Sequence, residues 1–341
     1  MFSDPFIIAE IGHNHMGQVD VCKDLFREAA RCGVNAVKLQ KRDNRSLYTK
    51  TFFDLPYVNS NSYGATYGLH REALEFGMPE YVELKAYAES LGLIFFATPF
   101  DIKSADFLRE LNIPLYKIAS ADLTNIPLIR HVVSMGKPVI ISTGGGSWED
   151  IDRVYGEVDA AKTVFLHCVA SYPNQAENMN LKIIPAMRAR YPGLAAVGLS
   201  DHYNGIAMAE AAYVLGGTVI EKHFTLNHTW RGTDHPLSLE PQGMESLVKN
   251  IHRIKSAMGG DNKRVLTCER NAIYKMGKSI YARRNIAAGE IFTEDNICLK
   301  SPAGGLPPYV LHTLLGRSSA RGILEDEVIS FSDTRAEGVV N

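Results

Sequence analysis

Apolar runs typical of buried strands alternate with amphipathic segments from residue 6 to about residue 258. The strand-like runs lie at residues 6–11, 36–40, 93–98, 115–120, 138–142, 163–169, 195–199 and 218–221. Segments with helical periodicity follow them, at 21–31, 79–91, 104–111, 127–134, from 147 onward, 181–191, 206–214 and 243–258. Eight strand–helix units close a parallel barrel, so we predict an α/β fold, the (β/α)8 TIM barrel. An open doubly wound sheet is the alternative, but no Gly-x-Gly-x-x-Gly motif follows the first strand.

The pattern changes after about residue 260, where a polar, helix-like segment precedes short runs that are broken by turn residues. We predict a catalytic barrel domain over residues 1–260, a linker over 261–277 and a small, mostly β domain over 278–341. The length agrees with this division, because a barrel alone takes about 250 residues and the chain has 341. The polar stretch 41–67 is too long for a routine connection, and we interpret it as a lid, a binding loop or a partly disordered segment.

Composition and charge narrow the classes of partner. The formal net charge is −2, which favours neither a nucleic acid nor an anionic membrane surface. No apolar run approaches the ~20 residues that span a bilayer, and the chain opens without a basic, secretory-type leader. The five cysteines are odd in number and include no Cys-x-x-Cys pair, which is typical of reduced thiols. We therefore expect a cytoplasmic protein with no membrane partner.

Two histidines follow strand-like runs that are consecutive in the chain. His202 comes after the run 195–199, and His223 comes after the run 218–221. Because the carboxyl ends of neighbouring parallel strands share one face of the sheet, we expect the two imidazoles to lie close together. Such a pair can bind one divalent metal ion. The alternative is that each histidine caps a strand or hydrogen-bonds a loop.

Other charged and hydroxyl side chains also gather where the predicted strands end. In a barrel these ends converge at one mouth, where active sites lie. Lys38 and Lys117 lie inside apolar strands, where an ammonium group without a partner is costly, so each should face an anion. Lysines together with hydroxyl groups are typical of a phosphate or carboxylate site. The gathered residues are Glu10, Lys38, Gln40, Thr98, Lys117, Ser120, Ser142, Thr143, His167, Ser200, His202, Glu221 and His223.

Several of these residues belong to motifs by which the chain resembles the sialic-acid synthase family over essentially its whole length. The motifs are IAEIG at 8–12 with NH at 14–15, AVKLQ at 36–40, ATPF at 97–100, YKIAS at 116–120, VGLSDH at 197–202 and EKHFT at 221–225. The segment 278–334 resembles the antifreeze-like (SAF) domain of these synthases. The resemblance implies a TIM barrel followed by that domain. It also implies a domain-swapped homodimer, in which the small domain covers the barrel mouth of the partner.

The activity that the resemblance implies is the condensation of phosphoenolpyruvate with an open-chain, N-acylated amino sugar, which yields a nonulosonic acid and phosphate. A divalent metal, Mn²⁺ or Mg²⁺, would be held by His202 and His223. The implied contacts to phosphoenolpyruvate are Lys38, Thr98, Lys117, Ser120 and Ser200. Glu10 and Asp234 would face the acceptor sugar, and the remaining substrate-binding residues are Gln40, Phe100 and Tyr172. The catalytic residues would be Glu10, Glu221, His202 and His223.

Two positions depart from the family pattern. Ala170 stands where the family usually has Asn, and Ser301 stands where an arginine reads the N-acyl group of the sugar. These two departures do not affect the residues that would bind phosphoenolpyruvate, but they leave the identity of the acceptor sugar open. Three other functions remain open: a 3-deoxy sugar-acid synthase that uses a different aldose, a Schiff-base aldolase that uses Lys117 or Lys38, and a non-catalytic sugar-acid binding protein on the same fold.

Overall fold

A closed barrel of eight parallel strands forms the first part of the chain. The computed structural model describes Phe2 and residues 4–335. Each strand pairs with the next, and the last strand pairs with the first. The predicted TIM barrel is therefore confirmed. Its strands are β1 (Phe6–Gly12), β2 (Ala36–Lys41), β3 (Ile94–Pro99), β4 (Tyr116–Ile118), β5 (Val139–Ser142), β6 (Thr163–Cys168), β7 (Ala196–Asp201) and β8 (Val219–His223).

The register of the strands brings residues from distant parts of the sequence together. Glu10 on β1 lies opposite Lys38 on β2 and opposite His223 on β8. Ser200 on β7 lies opposite Glu221 on β8. These pairs stand at the carboxyl ends of their strands, which is the end of a barrel where ligands bind.

Side chains fill the barrel below this level and helices cover its outside, so the strands are buried on both faces. All seven residues of β1 are buried, for example. An inner apolar layer closes the barrel beneath the polar residues, and its members are Phe6, Ile8, Ala36, Phe96, Leu115, Ile140, Val164, Leu166 and Val219. Gly198 allows β7 to approach β8 closely, because a Cβ atom there would lie 1.8 Å from the carbonyl oxygen of Val219.

The barrel helices follow the strands in the expected alternation, with three short additional helices after β2. The helices are α1 (Val19–Cys32), α2 (Asn44–Leu47), α3 (Lys50–Phe53), α4 (Tyr67–Glu72), α5 (Met78–Ser90), α6 (Ile102–Glu110), α7 (Ile126–Val133), α8 (Trp148–Tyr155), α9 (Ile183–Arg190), α10 (Ala207–Val214) and α11 (Pro241–Met258). No helix within the described residues is long and apolar enough to cross a membrane.

The polar stretch 41–67 is more ordered than the sequence pattern indicated. Helices α2, α3 and α4 each begin after a residue whose side chain accepts a hydrogen bond from the first turn: Asp43, Thr49 and Thr66. Such caps stabilise short helices that apolar periodicity does not reveal. The stretch also contributes side chains to the cavity described below, as a binding loop would.

The ends of the last two barrel strands also differ from the prediction. β7 reaches Asp201 and β8 reaches His223, so His223 lies within its strand and not after it. Asp201 and Lys222 are opposite each other in the ladder and form an ion pair at 2.8 Å. Pairing offsets part of the penalty of burying each charge, so the ladder can continue through these polar residues.

A second compact unit begins at Gly260. It contains α12 (Arg270–Met276), β9 (Ser279–Ala282), β10 (Ile297–Lys300) and α13 (Leu311–Leu314), and β9 and β10 pair antiparallel. The run at 289–292 forms only an isolated bridge, between Ile291 and Ser318. This unit has its own apolar core, made of Ile280, Ala282, Ile286, Phe292, Ile297, Leu314, Ile323 and Ile329. The exact domain limits proposed above stay predictions, although α12 occupies part of the predicted linker.

Candidate active site

A cavity of about 910 Å³ lies at the carboxyl ends of the barrel strands. Every side chain assigned above to catalysis, substrate binding or metal binding lines it: Glu10, Lys38, Gln40, Thr98, Phe100, Lys117, Ser120, Tyr172, Ser200, His202, Glu221, His223 and Asp234. Ala170 also lines the cavity, whereas Ser301 belongs to the second unit. The structure brings these residues together, and their individual roles stay predictions.

Two strand-end residues from the sequence analysis do not line this cavity. The Thr143 hydroxyl donates to the backbone carbonyl of Leu166 at 3.0 Å. His167 Nε2 lies 2.7 Å from the carbonyl of Met179. Both side chains hold backbone segments in place, which is the structural alternative that applies to any polar residue at a strand end.

The cavity floor is a network of buried lysines and glutamates. Lys38 Nζ lies 2.8 Å from Glu10 Oε2 and 3.6 Å from Glu221 Oε2. It also donates to the hydroxyl of Thr98 at 3.0 Å. Lys117 Nζ lies 3.8 Å from Glu221 Oε1. Glu221 therefore stands between the two ammonium groups and serves as their counterion.

Hydroxyl groups complete this network. Ser142 accepts a hydrogen bond from Lys117 at 2.6 Å, and Ser200 donates to Glu221 Oε1 at 3.0 Å. Ser120 accepts from the backbone N–H of Gly144 at 3.0 Å. Each hydroxyl can donate to an arriving anion or accept from a lysine, so the floor can exchange its internal contacts for contacts to a ligand.

Burial opposes charge on these groups, and their neighbours largely restore it. Burial raises the pKa of Glu221, but Lys117 and Lys38 outweigh this effect and lower the pKa to about 2. Burial lowers the pKa of Lys38, yet Glu10 and Glu221 leave that pKa above its ordinary value. The pKa of Lys117 is lowered, because burial is only partly offset by Glu221. The lysines and glutamates of the floor thus hold one another in place before any ligand binds.

His202 and His223 lie next to the floor, with ring centroids 5.4 Å apart. Two imidazoles on one tetrahedral metal ion have ring centres about 5 Å apart. Nδ1 of His223 is buried and has no hydrogen-bond partner among the described residues. Nδ1 of His202 faces the Val169 carbonyl at 3.3 Å, which leaves its Nε2 available to a ligand. Burial and His223 lower the pKa of His202 to about 3, so the ring is neutral, as a metal ligand must be.

The pair therefore fits a divalent ion as two of its ligands. Within the described residues, no group of three or more His, Cys, Asp or Glu side chains is arranged to hold a metal ion. The remaining coordination positions would be filled by water or by substrate oxygen atoms. Asp234 Oδ2 lies 3.8 Å from His223 Nδ1, which is beyond hydrogen-bond distance, so this nitrogen is not held by the carboxylate.

Side chains that the sequence analysis did not single out as site residues line another part of the cavity. They are His13, Arg42, Asn61 and Arg71. Arg42 follows β2 directly, and its guanidinium carbon lies 3.7 Å from the ring centroid of Phe100. Asn61 comes from the polar stretch 41–67, and Arg71 comes from α4, which begins at the end of that stretch. In neither place does a periodic pattern relate a residue to the barrel mouth. The alternation of Lys38, Gln40 and Arg42 is the one signal that could have identified a member of this group.

Comparisons with known proteins agree with this architecture. The NeuB family model matches residues 25–263, and the SAF domain model matches residues 277–335. The chain is 38% identical to the N-acetylneuraminate-9-phosphate synthase of Homo sapiens over 327 residues, which cover 95% of this chain and 91% of the human protein. It is 34% identical to the N,N'-diacetyllegionaminic acid synthase of Campylobacter jejuni, over 95% of this chain and 98% of that protein.

A solved structure shares this fold as well. The N-acetylneuraminic acid (sialic acid) synthetase of Leptospira borgpetersenii, crystallised in complex with citrate, superposes with a TM-score of 0.69. The two chains are 31% identical, and the match covers 80% of this chain and 90% of the Leptospira protein.

Proposed function

Because the chain belongs to the NeuB family, we propose that it condenses phosphoenolpyruvate with an open-chain, N-acylated amino sugar to give a nonulosonic acid and phosphate. The observation that carries the proposal is the pair of buried lysines at the cavity floor, beside two histidines. The names of the similar synthases, whose products are nonulosonic acids, support the same reaction.

Phosphoenolpyruvate is the substrate that the cavity floor fits. Its phosphate and carboxylate carry negative charge that Lys38 and Lys117 can neutralise, and charge-assisted hydrogen bonds of this kind are stronger than neutral ones. Glu221 holds both lysines charged and in position until the substrate arrives. Thr98, Ser120 and Ser200 would donate to the remaining oxygen atoms. The charge is then in place before the chemical step, as electrostatic catalysis requires.

Carbon–carbon bond formation needs the acceptor aldehyde next to the enol carbon. The enol carbon attacks the aldehyde carbon, whose oxygen takes up a proton and becomes a hydroxyl. Water then adds at the cationic carbon that carries the phosphate oxygen, and cleavage of that C–O bond releases phosphate and leaves the α-keto acid. Glu10 is the candidate acid or base for these proton transfers, because it is a carboxylate that lines the cavity. Gln40 donates to its Oε1 at 2.7 Å and Lys38 faces its Oε2, so both neighbours hold it in position.

A divalent metal, Mn²⁺ or Mg²⁺, is part of the proposal, and His202 and His223 would hold it. When bound, such an ion polarises a carbonyl oxygen as a Lewis acid. Asp234 and Tyr172 flank the two imidazoles. The ring centroid of Tyr172 lies 4.2 Å from that of His202, so the tyrosine limits the space on that side.

A homodimer is also proposed, from the family resemblance, and analytical ultracentrifugation of the full chain would test it.

The test of function is a coupled assay for phosphate release and keto-acid formation with phosphoenolpyruvate and a panel of N-acylated hexosamines, hexosamine phosphates and simple aldoses. The proposal predicts equal amounts of phosphate and nonulosonic acid with an amino sugar. Product formation with simple aldoses alone would support a 3-deoxy sugar-acid synthase. Trapping of substrate on Lys117 or Lys38 by borohydride would support a Schiff-base aldolase. Binding without turnover of any sugar would indicate a sugar-acid binding protein.

A further inference from the structure

Two arginines line the cavity and take no part in the reaction proposed above. Arg42 follows β2 and is 7% exposed, and Arg71 lies on α4. Among the residues that the structure describes, neither guanidinium forms an ion pair with a carboxylate. The neighbouring Arg45 is different, because it is exposed and pairs with Glu72 at 2.9 Å. Arg71 is half-buried. A guanidinium group without a paired carboxylate is uncommon at such positions, since it loses hydration as it is buried.

The contacts between the two arginines leave hydrogen-bond donors without acceptors. Arg42 Nη1 lies 3.0 Å from Nε2 of His13, and Arg71 Nη1 lies 3.2 Å from Nδ1 of the same ring. Burial and both arginines hold the pKa of His13 well below its ordinary value, so the ring is neutral. A neutral imidazole accepts a hydrogen bond at only one nitrogen. One guanidinium therefore faces an N–H group, and an added acceptor would satisfy that donor.

The nearby carboxylates do not neutralise this cluster. Glu75 Oε2 accepts from Lys41 Nζ at 2.9 Å and from the backbone N–H of Arg42 at 3.2 Å, so its charge is shared with the lysine. Asp234 is close enough to favour the charged form of Arg71, but it makes no ion pair with that residue. Within the described residues, neither carboxylate forms an ion pair with Arg42 or Arg71. Both guanidinium groups can therefore bind an anionic ligand.

The position of the cluster separates it from the lysines at the floor. Lys38, Gln40 and Arg42 are every second residue along β2 and its extension. A rise of about 3.3 Å per residue puts the Cα atom of Arg42 about 13 Å beyond that of Lys38. Gln40 joins the two regions, because its Nε2 donates to Glu10 at 2.7 Å and its Oε1 accepts from Arg42 Nη2 at 2.7 Å. An extended six-carbon chain is of the size that can reach from the catalytic groups to the arginines.

We infer that Arg42 and Arg71 form a second anion site, which binds a phosphate monoester on the acceptor sugar, at the end remote from the aldehyde. The inference rests on the proposed function, because that function supplies the acceptor. A phosphate dianion matches two guanidinium groups, whereas a carboxylate would neutralise only one. Guanidinium groups bind phosphate oxygens in bidentate fashion. Phe100 lies against one face of Arg42 and leaves the edge of that guanidinium for the ligand.

The decisive experiment compares N-acetylmannosamine 6-phosphate with N-acetylmannosamine at saturating phosphoenolpyruvate. We expect kcat/KM to be at least tenfold higher for the phosphorylated sugar. Arg42→Gln and Arg71→Gln should each lower the ratio of the two kcat/KM values at least tenfold, and Arg71→Lys should lower it less because it keeps the charge. Arg45→Gln, which removes an exposed arginine on α2, is the matched control and should keep the ratio. A wild-type preference for the neutral sugar, or a ratio that both glutamine variants leave unchanged, would overturn the inference.

Calorimetric titration separates this inference from the proposed function. Without phosphoenolpyruvate, N-acetylmannosamine 6-phosphate should bind the wild-type protein at least tenfold more tightly than the Arg42→Gln or Arg71→Gln protein, with melting temperatures compared to verify folding. That result would uphold the anion site even if no condensation occurred with any sugar, in which case the proposed function alone would fail. Inorganic phosphate that binds as tightly as the sugar phosphate would overturn the acceptor assignment, because the site would then belong to the released phosphate.

Discussion

Glu221 is the residue on which the charge balance of the cavity floor depends. It touches both Lys38 and Lys117, and the two ammonium groups would otherwise repel each other in a buried space. A substrate that carries a phosphate and a carboxylate can replace part of this interaction with its own charge. The affinity for phosphoenolpyruvate is therefore set by individual lysine contacts, and single substitutions can measure them.

Lys117→Met should weaken the binding of phosphoenolpyruvate about ten- to more than a hundredfold, since a hydrogen bond to a charged group contributes about 1.5–3 kcal/mol. Calorimetric titration with phosphoenolpyruvate measures this loss directly. Lys137→Met, at a half-buried lysine that does not line the cavity and donates to Asn112 at 3.2 Å, is the matched control and should bind as the wild type does. An unchanged dissociation constant for the Lys117 variant would contradict the assignment.

His223→Ala should remove the bound metal and the condensing activity together, because its removal leaves His202 alone. Among the described residues, the buried Nδ1 of His223 has no hydrogen-bond partner, as suits a metal ligand. Metal content after dialysis, measured by mass spectrometry, gives a readout that does not depend on turnover. Treatment of the wild-type protein with EDTA should stop condensation, and added Mn²⁺ should restore it. His131→Ala, at a histidine that pairs with Asp106 at 2.9 Å, serves as the control. Full turnover by a metal-free His202→Ala/His223→Ala protein would refute the metal requirement.

Residues on barrel strands were predictable from the sequence, because the strand pattern fixes where each strand ends and the barrel places those ends together. Glu10, Lys38 and His223 are examples that the register confirms as neighbours. Arg71 was not predictable by this argument. It reaches the cavity from α4, a short helix that is held by the cap at Thr66 and not by an apolar stripe.

At the level of elements, β7 and β8 carry the two histidines at their ends, and two features hold these strands together. Gly198 permits their close approach, and Asp201 and Lys222 pair where neither side chain is exposed. Lys222 also donates to the carbonyl of Tyr203. The motifs at 197–202 and 221–225 were visible in the sequence, but the ion pair between Asp201 and Lys222 was not, because the predicted strands ended before these two residues.

Lys222→Met should lower the free energy of unfolding by about 3–5 kcal/mol, since removal of one partner leaves the Asp201 carboxylate buried without a counterion. Denaturant unfolding followed by circular dichroism measures the change. The Asp201→Leu/Lys222→Leu protein removes both charges and should recover part of the loss. If the double variant loses as much free energy of unfolding as the Lys222 and Asp201 single variants together, the pair contributes no coupling energy.

For the molecule as a whole, the barrel and the second unit each contain a separate apolar core. The sequence indicated this division by a change of pattern near residue 260, since a β-rich segment follows the last amphipathic helix. The precise limits could not be predicted, because residues 270–276 form a helix that resembles a continuation of the barrel pattern.

A chain that ends at Gly259 should retain the barrel fold, because none of the residues of its cores lies beyond that point. Far-ultraviolet circular dichroism and a cooperative thermal transition would verify the fold. Binding of phosphoenolpyruvate should persist within about threefold, an effect of less than 1 kcal/mol, because the lysines and their partners all precede residue 225. A truncated chain that does not melt cooperatively would show that the barrel requires the second unit.

The closure of the barrel also constrains how the protein is made. β1 completes its pairing only when β8 exists, and Phe6 hydrogen-bonds Thr218 at 2.8 Å. About 200 residues must be synthesised between the two strands, which takes roughly 10–40 s at ordinary rates of translation. During that time β1 has an unpaired edge that can associate with another nascent chain. Ribosome-bound chains should therefore stay sensitive to protease until β8 has left the exit tunnel, and they should depend on chaperones until then.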